Sequence, residues 1–244
     1  MEPLLIPISD SMTDSFEPAY RVPLFNRTMR VLFKPVFHGL FRLLARVRVY
    51  GRENIPLGRP YLATFNHISI FDPPLAVVCW PEMIEILGAS DVWDKPGQGQ
   101  LARLYHGIQV HRGEYDREVF DKALGVLRSG HPLLMAPEGG RSHITSLRRA
   151  KPGLALIIEK AQVPVVPVGI VGTTDDFFQR ALRLERPVLE MRIGVPFQLP
   201  AVEGKGEQRR ESRQHNADLV MAHIAGLLPE HYRGVYADQV VMPA

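Results

Sequence analysis

Short β-branched runs alternate with helical segments along most of this 244-residue chain, and no other feature constrains its fold as tightly. Residues 47–50, 60–65, 83–87, 107–110, 132–136, 163–171 and 188–193 read as strands. Between them 74–80, 98–105, 114–128 and 152–161 read as helices, and 208–228 reads as a closing helix. Parallel strands need a crossover of about a dozen residues or more, usually a helix, and this spacing supplies one repeatedly. The expected architecture is a single α/β domain with a largely parallel (mixed) central sheet flanked by helices. Ligands on such folds sit beyond the carboxyl ends of the strands, so the turns there are where chemistry is sought.

An apolar share of 45% with 23% charged residues belongs to a globular protein with a substantial core. Cys79 is the only cysteine, which excludes an intrachain disulfide and a multi-cysteine metal centre. It lies in the apolar run 75–80, where a thiol reads as a structural core residue. No charge-free apolar run approaches the roughly 18 residues that span a bilayer. Residues 1–7 lack the cationic start and sustained apolar stretch of a signal peptide. The expectation is a cytoplasmic chain, peripheral on the inner face of the cell membrane.

The net charge of +3 is unevenly spread. Residues 1–20 form an acidic leader with Glu2, Asp10, Asp14 and Glu17, whereas no acidic residue occurs between Pro18 and Arg52. In that interval stand Arg21, Arg27, Arg30, Lys34, Arg42, Arg46, Arg48 and Arg52. Residues 21–47 read as a basic amphipathic helical segment, helical from 24 and hinged near Pro35. Leu32, Phe33, Val36, Leu40, Leu43, Leu44 and Val47 gather on one side. Arg30, Lys34, His38, Arg42 and Arg46 fan across the other. Two readings are open: an interfacial helix on an anionic membrane surface, or a helix docked on the domain with its arginines in water. No nucleic-acid module is present, so no nucleic-acid partner is expected. The domain proper is expected over 48–228, with a tail over 229–244.

One strand-end turn carries candidate chemistry. Residues 60–65 are followed by Asn66, His67, Ile68, Ser69, Ile70 and Phe71, and then by Asp72-Pro73-Pro74. An imidazole at a strand end with a nearby carboxylate suits a general base and its orienting partner. Residues five apart on a helix lie about 140° apart, so the two side chains meet only if His67 precedes the helix. The plainer reading makes Asp72 a helix cap before Pro73 and His67 a turn histidine. Spacing alone does not choose, since His111 and Asp116 repeat it.

Three further segments stand at expected strand ends. Residues 107–112 end in Arg112, and 137–142 read Pro-Glu-Gly-Gly-Arg-Ser, with a carboxylate and a guanidinium flanking two glycines. Residues 163–170 form a buried strand punctuated by Pro164 and Pro167. With His67 and Asp72 these are four ordered blocks, and together they resemble the glycerophospholipid acyltransferases, the 1-acyl-sn-glycerol-3-phosphate acyltransferase-like family. Lys151-Pro152-Gly153 also resembles the family's segment between the third and fourth blocks. The likeness covers roughly residues 50–195. Gly140 stands where the family usually has threonine, and Ala136 where a bulky aromatic is common.

The resemblance implies a transferase that moves a fatty acyl chain from acyl-CoA or acyl carrier protein to a lysophospholipid hydroxyl. These donors are co-substrates, and no metal or other cofactor is implied. His67 would be the general base and Asp72 its orienting carboxylate. Arg112 and Arg141 would bind phosphate, Glu138 would orient a hydroxyl or an arginine, and Gly139 and Gly140 would offer amides to ligand or oxyanion. Other readings are a phospholipid transacylase, an acyltransferase on a non-glycerol lipid, and a non-catalytic peripheral lipid-binding protein. A serine hydrolase is disfavoured, because no Gly-x-Ser-x-Gly segment occurs.

Overall fold

Every residue of the strand Leu62–Phe65 is buried, as a parallel strand covered on both faces must be. The computed structural model describes residues 20–111, 117–142 and 144–242. Among these, seven strands form one sheet: β1 (Arg46–Tyr50), β2 (Leu62–Phe65), β3 (Glu85–Ala89), β4 (Ile108–Val110), β5 (Leu133–Met135), β6 (Val165–Val171) and β7 (Val188–Ile193). Their order is β1-β7-β6-β2-β5-β3-β4, parallel throughout except for the antiparallel pair β6–β7. The connections contain α2 (Asp72–Cys79), α3 (Gln98–Tyr105), α4 (Arg117–Arg128), α5 (Gly153–Ala161) and α6 (Phe177–Leu182), while α1 (Leu24–Leu44) precedes β1 and α7 (Gly206–Gly226) follows β7. The α/β reading holds, with the mixed character confined to one strand pair.

Alternation along the central strands sorts their side chains into two cores. Leu62, Leu133 and Val165 join one core with α4, α5 and α7. Ala63, Leu134 and Val166 point the other way, into a core with α2, Phe41 of α1 and Phe177 of α6. Cys79 lies in that second core at 3% exposure, and burial pushes its thiol up to about 11, so it is protonated near neutral pH.

The α1 helix corrects one expectation: it runs unbroken through Pro35, with no second helix. Of the two open readings, a helix docked with its arginines in water fails at Arg30, which is buried at 4% exposure, while Leu32, Val36 and Leu43 are 55–64% exposed. The Arg30 guanidinium forms a two-pronged pair with Glu85, at 2.5 and 2.6 Å, and Nε donates to the Tyr105 carbonyl at 2.7 Å. The Tyr20 hydroxyl donates to the same carboxylate at 2.6 Å. A polar latch therefore seats α1, and its apolar stripe faces outward. Arg30→Met would strand a buried carboxylate and is expected to destabilise the fold by about 3–5 kcal/mol, with Arg30→Met/Glu85→Leu recovering most of that in urea titrations.

The stretch expected as a tail is laid back on the domain as far as residue 242. Tyr232 and Tyr236 are buried, and the Tyr232 hydroxyl accepts the Gly172 amide at 3.0 Å. Gly172 ends β6 at φ 94°, and a Cβ there would lie 2.2 Å from the Val188 carbonyl, so only glycine fits. Residues 1–19 of the acidic leader lie outside the described residues.

Candidate active site

The carboxyl ends of β2, β5 and β6 converge on one turn. β2 stops at Phe65, and Asn66 continues its pairing with β6 by side chain. Asn66 Nδ2 donates to the Ile170 carbonyl at 2.9 Å, and the Ile170 amide donates to Asn66 Oδ1 at 2.7 Å. The two bonds fix where the chain leaves the sheet, and His67 is the next residue. The sequence assigns Asn66 no role; its position directly after a buried strand was the available signal.

Asp72 does not cap α2: Phe71 holds the cap position, Pro73 and Pro74 have no N–H to donate, and the Leu75 amide donates to the Phe71 carbonyl at 3.0 Å. Its carboxylate turns back instead. Oδ2 accepts the amides of Ile68 and Ser69, each at 2.7 Å, and lies 3.0 Å from His67 Nδ1. Oδ1 accepts the hydroxyl of Thr173, which follows β6. Asp72 is wholly buried, and these bonds hold its carboxylate in one orientation. His67 lies in the turn before the helix, as a meeting of the two side chains requires. With Nδ1 facing the carboxylate, Nε2 is left for a substrate. Thr173 escaped notice in the sequence, though the end of a buried strand was a place to look.

The 137–142 segment supports this turn from beneath. Glu138 departs from the expected substrate-facing carboxylate: its side chain is fully buried, and both oxygens are engaged. Oε1 accepts the His67 amide and Oε2 the Arg148 amide, each at 3.0 Å. Burial raises its pKa, and the two amides and the Arg148 charge oppose that. Ser142 closes the link by donating its amide to the His67 carbonyl at 2.6 Å. Gly139 departs too, because its N–H is spent on the Ala136 carbonyl at 3.1 Å. At φ 69°, packed against the Lys151 stem, it shapes the turn. The Gly140 amide has no partner among the described residues, and the Gly140 carbonyl accepts from Arg148. Arg112 lies outside the described residues.

A cavity of about 610 Å³ opens at this turn. Its lining brings His67, His111, Gly140, Arg141 and Lys151 together with apolar groups: Phe33 and Phe37 of α1, Val77 and Val78 of α2, Ile86 of β3, and Trp93 and Leu101. Glu85 pairs with Leu133, which is level with Leu62, so the Arg30–Glu85 latch lies five residues below His67 along the sheet. An elongated apolar ligand with a polar, anionic head matches such a lining.

The sequence pattern of the acyltransferase family matches residues 46–171, just over half of the chain. The mouse 1-acyl-sn-glycerol-3-phosphate acyltransferase alpha is 26% identical over 160 residues, covering 64% of this chain and 55% of the mouse protein. The human lysophospholipid acyltransferase LPCAT4 is 30% identical over 141 residues, 53% of this chain and 26% of its own length. The chain thus spans about half the length of the mouse relative, and less of the human one. The crystal structure of the 1-acyl-sn-glycerophosphate (LPA) acyltransferase PlsC from Thermotoga maritima superposes with a TM-score of 0.55 at 23% identity, over 81% of this chain and 80% of that one, and shows the shared fold. On the match that runs from β1 through β6, the chain belongs to the acyltransferase family.

Proposed function

We propose that this protein transfers a fatty acyl group from a thioester donor, acyl-CoA or acyl carrier protein, to the hydroxyl of a 1-acylglycerol-3-phosphate-like lysophospholipid. The observation that carries the reading is the His67–Asp72 pair, held by a saturated bond set at the mouth of an apolar cavity. His67 Nε2 takes the proton of the acceptor hydroxyl as its oxygen attacks the thioester carbonyl. Asp72 keeps Nδ1 protonated and stabilises the imidazolium. When the C–S bond breaks, the imidazolium returns the proton to the leaving thiolate. The attacking hydroxyl belongs to the substrate, so no acyl-enzyme forms. The Gly140 amide is the donor available to the developing oxyanion.

Arg141 binds the acceptor phosphate in this reading, and the exposed stripe of α1 rests on an anionic membrane surface, where acceptor and product reside. The test is an acceptor panel with both donors side by side, scoring the ester formed. 1-Acylglycerol-3-phosphate is expected to outpace 1-acylglycerol. Arg141→Ala is expected to raise KM for the phosphorylated acceptor about 10- to 100-fold, the loss of one charge-assisted contact, with a smaller change in kcat. A panel in which the phosphate makes no difference, or an unchanged KM, contradicts the assignment.

A further inference from the structure

The α6 turn carries an apolar surface that acyl transfer leaves unused. Phe178, Leu182 and Leu184 are 51%, 64% and 69% exposed. Leu184 holds its exposure from a left-handed backbone, φ 57°, and Arg186 follows at φ 50°. That conformation crowds the Cβ of an L residue, and glycine would adopt it freely. The Leu184 amide donates to the Ala181 carbonyl at 3.0 Å and the Glu185 amide to the Arg180 carbonyl at 3.1 Å, the pair of bonds that ends α6 and holds Leu184 outward.

The patch joins two other features. Arg186 donates to the Arg42 carbonyl at 2.9 Å, the Arg46 amide donates to the Pro187 carbonyl at 2.9 Å, and Phe177 stacks on Phe41. These contacts set α6 beside the end of α1, where Leu40 and Leu43 face outward. On its other side Phe178 stacks on Phe71, between His67 and Asp72, next to the exposed Ile70. Within the α6 region Arg180 and Arg183 pair with Asp176 and Glu185 at 3.1–3.8 Å. Cationic excess is supplied by the adjoining α1 segment, which has no carboxylate between Pro18 and Arg52.

We propose that Phe178, Leu182 and Leu184 form a second contact with an anionic bilayer, seated between the end of the α1 stripe and the catalytic turn. The inference rests on the membrane reading of α1 given above. Continuity with α1 and the apolar groups set among arginines select a lipid surface as the occupant.

Leu182→Ser/Leu184→Ser tests it, since both side chains are exposed and neither belongs to the catalytic turn. Co-sedimentation with phosphatidylglycerol/phosphatidylcholine vesicles is expected to weaken about tenfold. Ester formation from vesicle-borne acceptor should fall in parallel, while a monomeric short-chain acceptor is turned over at the wild-type rate. Val36→Ser/Leu40→Ser/Leu43→Ser, run alongside, separates the two layers of the argument. If that variant detaches and the α6 variant sediments as wild type, the second contact is wrong and the α1 reading stands. If both sediment as wild type, the membrane reading itself fails. If the α6 substitutions instead convert a dimer to a monomer in sedimentation velocity, with vesicle binding unchanged, the patch joins two copies of this chain and the proposal is overturned.

Discussion

His67→Ala is expected to lower kcat about 10²- to 10⁴-fold, the usual contribution of a positioned general base, while KM, folding and vesicle binding stay close to wild type. The local geometry explains why so large an effect would be confined to turnover. The His67 backbone is held by Glu138 and Ser142, and neither bond involves the ring. Without the imidazole, Asp72 keeps the Ile68 and Ser69 amides and the Thr173 hydroxyl, so no buried charge is left bare. Steady-state kinetics with circular dichroism checks both halves. A variant within severalfold of wild-type kcat would show that the proton leaves by another route.

Asp72→Ala is expected to act on activity and stability together. Loss of the carboxylate frees the imidazole to adopt the wrong tautomer, a change that costs about 10⁴-fold in hydrolases built on the same logic. It also leaves two buried amides and a hydroxyl unpaired, at about 1–3 kcal/mol for each group. Asp72→Asn separates these effects. The amide retains the shape and an acceptor oxygen, so most of the stability should return, yet the imidazolium loses its countercharge and kcat should remain low. Urea midpoints and kcat for the two variants make the comparison. An asparagine variant with near wild-type turnover would reduce Asp72 to a structural brace.

How legible each part was depended on whether its cause is local. Strand and helix alternation is a local property, so the α/β sheet could be read, and α3 was placed at its observed bounds over 98–105. The amphipathicity of α1 was equally visible, but periodicity cannot say which face turns inward. Arg30 is buried because its partner Glu85 lies 55 residues away, a fact no window on the chain contains. The six-residue α6 was missed because only Phe177 and Ala181 of its apolar residues are buried, leaving no periodic stripe. Glu138 was noticed as a strand-end carboxylate, yet its bonds to the His67 and Arg148 amides arise only from the fold. The same holds for Asn66 and Thr173, whose partners lie more than 100 residues away.

The central claim is that the acceptor hydroxyl, activated by His67, takes the acyl group directly. Wild type and His67→Ala are incubated with acyl-CoA alone and then with 1-acylglycerol-3-phosphate, following free thiol, new ester and the intact mass of the protein. The account predicts no thiol and no mass change before the acceptor is added, and then thiol and ester appearing one for one in the wild type, with the alanine variant nearly silent. A burst of one thiol per protein without acceptor, together with an acylated protein mass, would contradict it.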